Sequence, residues 1–274
     1  MAKLKFLITG ASAGIGRYLL EEFQGTPFHQ TNIENEIKSH CQKHYDVIVH
    51  CAADTRNIIP PNDLWPYYQS NIEFTRKLTQ IPHRLFVYTS SPAVYPDPFL
   101  ESKETDIPNF PETSFNVHHT YYLYGLFKLL AEQLISQNTE KSLILRCGLI
   151  TGRTNRLTNL MKILRFDPTP LTLNAESSFN LVSMDQIKKF IELASAQNVT
   201  GIFNAGSIKN ATLGEIAKTV GSHPIFGSFT HNVHRMDTSK IREVSGDFDK
   251  SSIEIALDAT EEFKRSIDNN KSVN

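Results

Sequence analysis

The chain has 274 residues, enough for one large domain or for one domain with a small appendage. Apolar residues make up 40% and charged residues 21%, which is typical of a globular protein. A net charge of −1 argues against nucleic acid and membrane partners, and no apolar run reaches the roughly 20 residues that span a bilayer. The three cysteines lack CxxC spacing and predict reduced thiols and no metal site. The N-terminal segment is interpreted as the first strand of a cytoplasmic protein.

Short apolar runs alternate with helical patterns through the first half of the chain. The runs are apolar along their whole length, as in strands that helices cover on both faces. The strand–helix alternation predicts an α/β fold, a Rossmann-type doubly wound parallel sheet. The predicted strands are 4–9, 46–53, 84–90 and 142–148, and the predicted helices lie near 15–23, 65–79 and 123–135.

The second half of the chain is less regular. We predict that residues 1–150 form the Rossmann core, to which residues 179–206 return. Residues 151–178 and 207–274 are expected to form a small C-terminal substrate lobe. The long loop from Pro92 to His118 is rich in proline and acid, and long loops in compact domains are often functional. Helices are predicted at 155–166, 185–196, 212–221 and near 252–267, with a strand at 201–206.

The motif "TGASAGIG", from Thr9 to Gly16, lies between the first predicted strand and the first helix. Gly10 would permit a tight turn. Gly14 and Gly16 would let the backbone approach a pyrophosphate at the helix N-terminus, where unpaired N–H groups favour anions. A plain turn is the alternative, but it needs fewer than three glycines. The motif therefore predicts dinucleotide binding.

The region after this helix bears on the choice between NAD and NADP. Dinucleotide sites usually carry an acid about 20 residues on, which bonds the ribose 2′-hydroxyl. Here the chain reads "GTPFHQTNIENE", with His29 and Gln30 where the acid is expected. Arg17 and His29 would instead favour a 2′-phosphate. The sequence leaves both cofactors open, with a slight preference for NADP.

Hydroxyl side chains close the strand in "FVYTSSPAVY". Thr89, Ser90 and Ser91 stand where a parallel strand points into the ligand crevice. One of these hydroxyls could polarise a substrate carbonyl. The alternative is that serines merely terminate the strand.

Tyr124 and Lys128 are one turn apart in the helix "YGLFKLLAEQLI" and therefore face the same way. Free tyrosine titrates near pH 10, and a neighbouring ammonium lowers the pKa of a phenol. The pair is thus a candidate general acid or base. The alternative is a solvated helix face.

The three motifs in this order resemble the short-chain dehydrogenase/reductase superfamily. Further segments resemble its extended branch, whose members process nucleotide sugars. Two features depart from the extended branch. Its usual "GxxGxxG" glycine spacing is replaced here by the spacing of the smaller members. Its "NVYGP" segment reads "GLITG" here, without the asparagine and the tyrosine. The segments that carry the resemblance to the extended branch are "VIVHCAA", "SNIEFTRKL", "YGLFKLLAE", "LRCGLITG", "FNLVSMDQIKKFI" and "DTSKIREVSG".

This resemblance implies a role for each matching position. Tyr124 would be the acid/base, Lys128 its activator and Ser91 the ligand of the substrate oxygen. Ser91, Pro92, Arg153 and Arg156 would bind substrate, although the basic cluster Arg153, Arg156, Lys162 and Arg165 is equally explained as a solvated helix face. The implied cofactor-binding residues are Gly10, Ser12, Ala13, Gly14, Ile15, Gly16, Asn32, Ile33, Cys51, Ala52, Ala53, Asn71, Tyr124, Lys128, Gly148 and Ile150. Among them, Asn32 and Ile33 would lie near the adenine.

The resemblance implies an NAD(P)-dependent oxidoreductase that acts on a sugar or nucleotide sugar. Pro92 and Ala93 follow Ser91 where dehydratases of the family carry a carboxylate, which disfavours dehydration. An epimerase with tightly bound NAD is the first alternative, and a non-catalytic NADP-binding regulatory protein is the second. Family members commonly dimerise through helices that correspond to residues 64–80 and 119–137. The candidate dimer residues are Tyr67, Tyr68, Leu123, Phe127 and Leu130.

Overall fold

The computed structural model describes residues 3–56, 59–95, 100–106, 120–233 and 235–271. None of the helices in these ranges is both long and apolar enough to cross a bilayer. The chain divides into two compact units. The first unit comprises residues 1–97, 104–146 and 190–203, and the second comprises 98–103, 147–189 and 204–274.

Strands and helices alternate through the first unit, as the apolar runs predict. The strands and helices of both units are numbered together in chain order. The strands are β1 Phe6–Thr9, β2 Thr26–Pro27, β3 Tyr45–His50, β4 His83–Ser90, β5 Glu101–Ser102, β6 Ser142–Cys147, β7 Leu149–Thr151, β8 Ser178–Phe179, β9 Leu181–Ser183, β10 Gly201–Ala205, β11 Ala211–Thr212 and β12 Arg235–Met236. The helices are α1 Gly14–Phe23, α2 Ile33–His40, α3 Leu64–Tyr68, α4 Phe74–Leu78, α5 Thr120–Asn138, α6 Asn159–Arg165, α7 Met184–Gln197, α8 Leu213–Val220, α9 Ser239–Val244 and α10 Ser252–Lys271.

A six-stranded sheet in the order β2-β1-β3-β4-β6-β10 forms the centre of the fold. Neighbouring strands from β2 to β6 run parallel. The predicted Rossmann-type sheet is therefore confirmed. Strand order reverses at β1, which has β2 on one side and β3 on the other. Ligands of such sheets bind beyond the carboxyl ends of the strands at this reversal.

The core of the first unit explains why its strands are apolar throughout. Leu7, Ile48, Phe86 and Ile144 come from four adjacent strands, and each is at most 1% exposed. Ala131 of α5 is fully buried against the same cluster. Burial of this kind is worth about 25 cal/mol per Å² of apolar surface, so the continuous runs stabilise the sheet on both faces.

Three features of the first unit differ from the predicted elements or lie beyond them. Helix α2 was not predicted because its exposed side chains are polar; Asn32 caps it by accepting a hydrogen bond from the Asn35 amide at 3.2 Å. The predicted helix 65–79 contains a π-helical segment, Gln69–Glu73, between α3 and α4. Residues 96–99 and 107–118 of the predicted long loop lie outside the described residues.

The second unit has its own apolar core, formed mainly by α6, α8 and α10. Leu164, Ile216 and Ala256 are among its buried residues. Helix α6 begins at Asn159, later than predicted, because the Thr158 side chain accepts a hydrogen bond from the Met161 amide. Strands β7 and β9 pair in parallel, and β8 pairs with β11 antiparallel.

A chain of buried hydrogen bonds begins at the end of β1. The Thr9 hydroxyl accepts from the backbone amides of Cys51 at 3.2 Å and Ala52 at 3.1 Å. It lies 2.8 Å from Nδ1 of His50. Because Thr9 accepts twice, its own proton goes to Nδ1, which leaves the proton of neutral His50 on Nε2.

This chain continues from His50 into the π-helical segment. Nε2 of His50 lies 2.9 Å from the Thr75 hydroxyl, which donates to the Asn71 carbonyl at 2.6 Å. The Asn71 side chain accepts from the Asp54 amide at 3.1 Å and donates to the carbonyl oxygens of Asp54 and Tyr67. The loop after β3 is thereby tied to the helix beside it.

We predict that His50 makes the protein sensitive to acid. Burial, and then the charge of Lys128, lowers the pKa of His50 to about 3, against 6.5 for a free side chain. The unfolded chain binds a proton below pH 6.5 and the folded chain does not, so stability falls with decreasing pH. One such group contributes about 1.4 kcal/mol per pH unit. Urea unfolding from pH 7 to pH 4 measures the slope.

His50→Gln should give a shallower slope than wild type over this interval. Some slope should persist, because burial also lowers the pKa of His40, His83 and His231. His44→Gln is the matched control at an exposed position and should leave the slope unchanged. Equal slopes for His50→Gln and wild type would contradict the prediction.

Candidate dinucleotide and catalytic site

The turn between β1 and α1 accepts only glycine at two of its predicted positions. Gly10 has φ +69°, and a Cβ there would lie 2.8 Å from the Ala52 amide nitrogen. A Cβ on Gly16 would lie 2.4 Å from the Gly10 carbonyl oxygen. Both distances are below any real Cβ contact, so the turn packs against the loop after β3 at Gly10 and against its own backbone at Gly16.

The start of α1 fits an anionic ligand. Gly14 has φ +62°, and no atom lies within 4 Å of the position that its Cβ would take. Ala13 occupies the N-cap and supplies no side-chain acceptor to the first turn. Ser12 is exposed and Ile15 is half-buried. A ten-residue helix that starts without a side-chain cap, beside open space, is suited to a pyrophosphate.

Lys128 is buried, and its ammonium lies close to two phenol rings. Its side chain is 5% exposed, and its Nζ donates to the Thr89 carbonyl at 2.9 Å. Nζ lies 4.6 Å from the centre of the Tyr88 ring and 5.8 Å from that of the half-buried Tyr124. Both distances are within the range of a cation–π contact. At Lys128, α5 is therefore buried and is not a solvated helix face.

Ser91 and Tyr124 are brought to one junction by a close contact of α5. Ser91 begins the Pro92–Val94 turn, and its hydroxyl accepts from the Ala93 amide at 3.2 Å. A Cβ on Gly125 would lie 1.9 Å from the Ala93 carbonyl oxygen. Only glycine allows α5 to pack this closely, and it places the helix turn that carries Tyr124 against the turn that Ser91 begins.

Two buried charges beside this junction were not singled out in the sequence. Glu132 is fully buried and Arg146 is 2% exposed, and their closest oxygen and nitrogen are 2.7 Å apart. Glu132 follows Tyr124 and Lys128 at the same four-residue spacing on α5. That spacing was a usable signal for Glu132. Arg146 gave no comparable signal, because its partner is on another element.

On the adenine side, the predicted residues have local structural contacts. Asn32 caps α2, and Ile33 packs partly buried against the core. Phe28, directly after β2, is buried, and His29 is exposed. Exposed Arg17 forms an ion pair with Glu21 at 2.9 Å. The role of Asn32 and Ile33 in adenine binding stays a prediction.

The remaining predicted residues belong to the second unit. Gly148 is buried, and its amide donates to the Ala205 carbonyl at 2.9 Å; Ile150 is half-buried. Arg153 and Arg156 are exposed. Arg165 stacks on Phe263 and Lys162 donates to the Pro170 carbonyl, so this part of the basic cluster is engaged in packing. No group of three or more potential metal ligands occurs within the described ranges.

Comparison with known proteins supplies the family. The model of the family described as "Male sterility protein" (NAD_binding_4) matches residues 29–200, more than half of the chain. Among curated proteins, methionine adenosyltransferase 2 subunit beta of Bos taurus is 28% identical over 183 residues, which cover 60% of this chain and 52% of the relative. The rat protein of the same name is 26% identical over the same shares. The matched region therefore spans about half the length of these relatives.

Solved structures with this fold include two epimerases. The UDP-glucuronic acid 4-epimerase of Bacillus cereus in complex with NAD has a TM-score of 0.74 at 18% identity and covers 96% of this chain and 99% of its own. The UDP-glucose 4-epimerase of Thermotoga maritima has a TM-score of 0.75 at 15% identity and covers 96% and 100%. Identities this low establish the fold. The chain belongs to the NAD-binding family described as male sterility protein, within the extended branch of the short-chain dehydrogenase/reductase superfamily.

Proposed function

We propose that the protein is an NAD(P)-dependent oxidoreductase that acts on a carbonyl or hydroxyl group of a sugar or nucleotide sugar. The observation that carries this proposal is the buried ammonium of Lys128 beside Tyr124, on a helix packed against the Ser91 turn. These groups follow β4, and the glycine turn follows β1, so both stand at the carboxyl edge of one parallel sheet.

Each of the three side chains has a distinct task in this proposal. The nicotinamide, when bound, supplies or accepts the hydride. Tyr124 gives its proton to the substrate oxygen, or takes one from it in the reverse direction. Lys128 stabilises the phenolate form of Tyr124 because an adjacent positive charge favours the charged state of a phenol. The Ser91 hydroxyl donates a hydrogen bond to the same substrate oxygen.

The proposed cofactor site combines the glycine turn with the loop after β3. Ser12, Ala13 and Ile15 would contribute backbone near the pyrophosphate, and Cys51 to Ala53 would line the cofactor. Burial raises the pKa of the Cys51 thiol to about 12, so this side chain acts as lining rather than as a nucleophile. All three cysteines are free, which supports the cytoplasmic location that we propose.

Epimerisation of a nucleotide sugar is the alternative that the structural neighbours support. Two of them are epimerases of UDP sugars, and the first step of such a reaction would use the same three side chains. The exposed Arg153 and Arg156 are the residues that we propose for a diphosphate group. An epimerase would keep its cofactor through the cycle, whereas an oxidoreductase would release it in the changed oxidation state.

A non-catalytic subunit is the remaining alternative, since the matched curated relatives are named as a subunit of an enzyme. Such a protein has no use for a proton donor beside a buried ammonium. Burying a charge costs several kcal/mol before it is compensated. The burial of Lys128 next to Tyr124 therefore supports a chemical role.

Tyr124→Phe should lower turnover by about 10²- to 10⁴-fold, the usual contribution of a general acid or base. Binding of the dinucleotide should be retained, because the glycine turn is untouched. The assay follows the absorbance of the reduced nicotinamide with UDP-glucose, UDP-glucuronic acid and a panel of keto sugars. Tyr45→Phe is the matched control, since Tyr45 is a buried tyrosine that hydrogen-bonds to His40 in the same unit. Wild-type turnover by Tyr124→Phe would overturn the proposal.

We propose further that the site accepts NAD and NADP, with a preference for NADP. Arg17 and His29 are both exposed, Arg17 on the first helix and His29 just after β2, and no carboxylate occurs from Thr26 to Thr31. A 2′-phosphate would thus meet two basic side chains, and the segment from Thr26 to Thr31 carries no acid that would repel it.

Arg17→Ala should weaken NADP binding roughly tenfold, the value of one hydrogen bond to a charged group, and leave NAD binding unchanged. Glu21→Gln is the control, because it removes the partner of Arg17 but keeps the guanidinium. Titrations followed by protein fluorescence measure both affinities. An equal loss for the two cofactors, or no loss for NADP, would count against the preference.

We also propose a homodimer formed through the helices after β3 and β4. Trp65 is 65% exposed and Leu130 is 45% exposed, although both are apolar. Tyr68 and Phe127 are half-buried. Tyr67, also a candidate for this surface, is fully buried and belongs to the core instead. Exposed apolar side chains on neighbouring helices are suited to pairing with a second copy.

Leu130→Glu should dissociate this dimer, because a charge would have to be buried at its interface. Light scattering should then report a mass that falls from twice 31.0 kDa to 31.0 kDa. Leu257→Glu, at an exposed leucine of the second unit, should leave the mass unchanged. A wild-type protein that is monomeric at micromolar concentration would rule the dimer out.

A further inference from the structure

The turn that Ser91 begins is attached to buried side chains on both sides. The preceding residue, Ser90, donates its hydroxyl proton to the carboxylate of Glu132. The turn ends at Tyr95, whose hydroxyl accepts from Nη1 of Arg146 at 2.7 Å. Ser90 is 6% exposed and Tyr95 is 2% exposed, so neither bond competes with water.

The two anchors are themselves joined by a bidentate ion pair. Nη2 of Arg146 lies 2.7 Å from one carboxylate oxygen of Glu132, and Nε lies 3.1 Å from the other. Arg146 is also the partner of Ser90 in the β4–β6 register. A planar guanidinium paired in this way fixes orientation as well as distance. Glu132, Arg146, Ser90 and Tyr95 will be called the Ser91 clamp.

The same helix that supplies Glu132 also supplies the proposed proton donor. Tyr124, Lys128 and Glu132 follow one another at four-residue spacing on one face of α5. Lys128 bonds to the Thr89 carbonyl, and Gly125 contacts the Ala93 carbonyl. Helix α5 therefore contacts the end of β4 through Lys128 and Glu132, and the turn after β4 through Gly125.

We infer that Glu132 and Arg146 are positioning residues that hold Ser91 at the distance from Tyr124 which the proposed reaction requires. This inference rests on the proposed function of Ser91 and Tyr124. A stability role alone explains the clamp poorly, because apolar residues often replace a buried ion pair without loss of stability. Apolar residues would supply no bonds to Ser90 and Tyr95. Misplacing a reacting group by 1 Å can cost about 10²-fold in rate.

The test uses the double variant Ser90→Ala/Tyr95→Phe, called the clamp variant, which keeps both members of the ion pair and removes the two hydroxyls that bond to them. We expect kcat to fall roughly tenfold to a hundredfold. Dinucleotide affinity should stay within about twofold, since the glycine turn is unchanged. A merely structural role would lower the melting temperature and dinucleotide affinity together, without a specific loss in kcat.

A matched control is available in the same unit. Ser195→Ala removes a buried hydroxyl that donates to the Ile191 carbonyl at 2.7 Å, and Tyr45→Phe removes one that bonds to His40 at 2.6 Å. The control Ser195→Ala/Tyr45→Phe thus loses one serine and one tyrosine hydroxyl away from the clamp. Its kcat should equal that of wild type. An equal loss of kcat in the control and in the clamp variant would overturn the inference.

Combination with Ser91→Ala shows whether the clamp acts through Ser91. In wild type, Ser91→Ala should cost about 10²-fold, as for the loss of one oxyanion donor. In the clamp variant the same change should cost less than about tenfold, because a misplaced hydroxyl has little left to lose. Strictly multiplicative losses would contradict the inference and leave the proposed role of Ser91 standing.

Hydrogen exchange supplies a readout that does not depend on turnover. The Ala93 amide donates to the Ser91 hydroxyl, and the Tyr95 amide donates to the Pro92 carbonyl at 2.9 Å. Both amides should exchange at least about tenfold faster in the clamp variant than in wild type or in the control. Unchanged exchange would overturn the inference. If the wild type proves inactive but the two amides still exchange faster in the clamp variant, the proposed function fails and the clamp stands.

Discussion

The buried ammonium of Lys128 is the constraint on which the arrangement of the candidate site depends. Removing an ammonium from water costs several kcal/mol, which the surrounding groups must offset. The Thr89 carbonyl and the faces of Tyr88 and Tyr124 do so here. These contacts with Lys128 form only if α5 is held at a fixed position relative to the end of β4. The same placement sets Tyr124 beside the turn that Ser91 begins.

Missing side chains are as important to this arrangement as the charges. A Cβ on Gly125 would separate α5 from the Ser91 turn, and a Cβ on Gly10 or Gly16 would open the turn after β1. Glycine is less stable than alanine inside a helix by about 1 kcal/mol. At Gly125 that cost accompanies a close contact which no other residue permits. The close contacts thus occur at the edge of the sheet where a ligand is expected.

Polar groups in the core link the turn after β1 to the helix beside the loop after β3. His50 stays neutral because of its burial and the nearby charge of Lys128. Neutral His50 can accept from Thr9 and donate toward Thr75, so one tautomer connects the end of β1 to the helix that carries Asn71. Asn71 thereby acts on the loop after β3 through its hydrogen bonds to Asp54, a positional role beneath the proposed cofactor site.

The sequence predicted those features that depend on local patterns. Continuous apolar runs predicted the central strands, and helical spacing placed Tyr124 and Lys128 on one face of α5. Arg146 lies on a different element from Glu132, so no periodicity connects them. Helix α2 carries few apolar residues, and β2 has only two residues, which left the adenine side without a readable pattern. Interactions between distant elements therefore account for most of what sequence reasoning missed.

The decisive measurement is a crystal structure with a bound dinucleotide. We expect the pyrophosphate about 3 Å from backbone amides at the start of α1, and the nicotinamide end beside Tyr124 and Lys128. The Tyr124 hydroxyl should face that ring from the same side as Ser91. A dinucleotide bound away from the glycine turn, or a Tyr124 hydroxyl pointing into bulk solvent, would contradict this expectation.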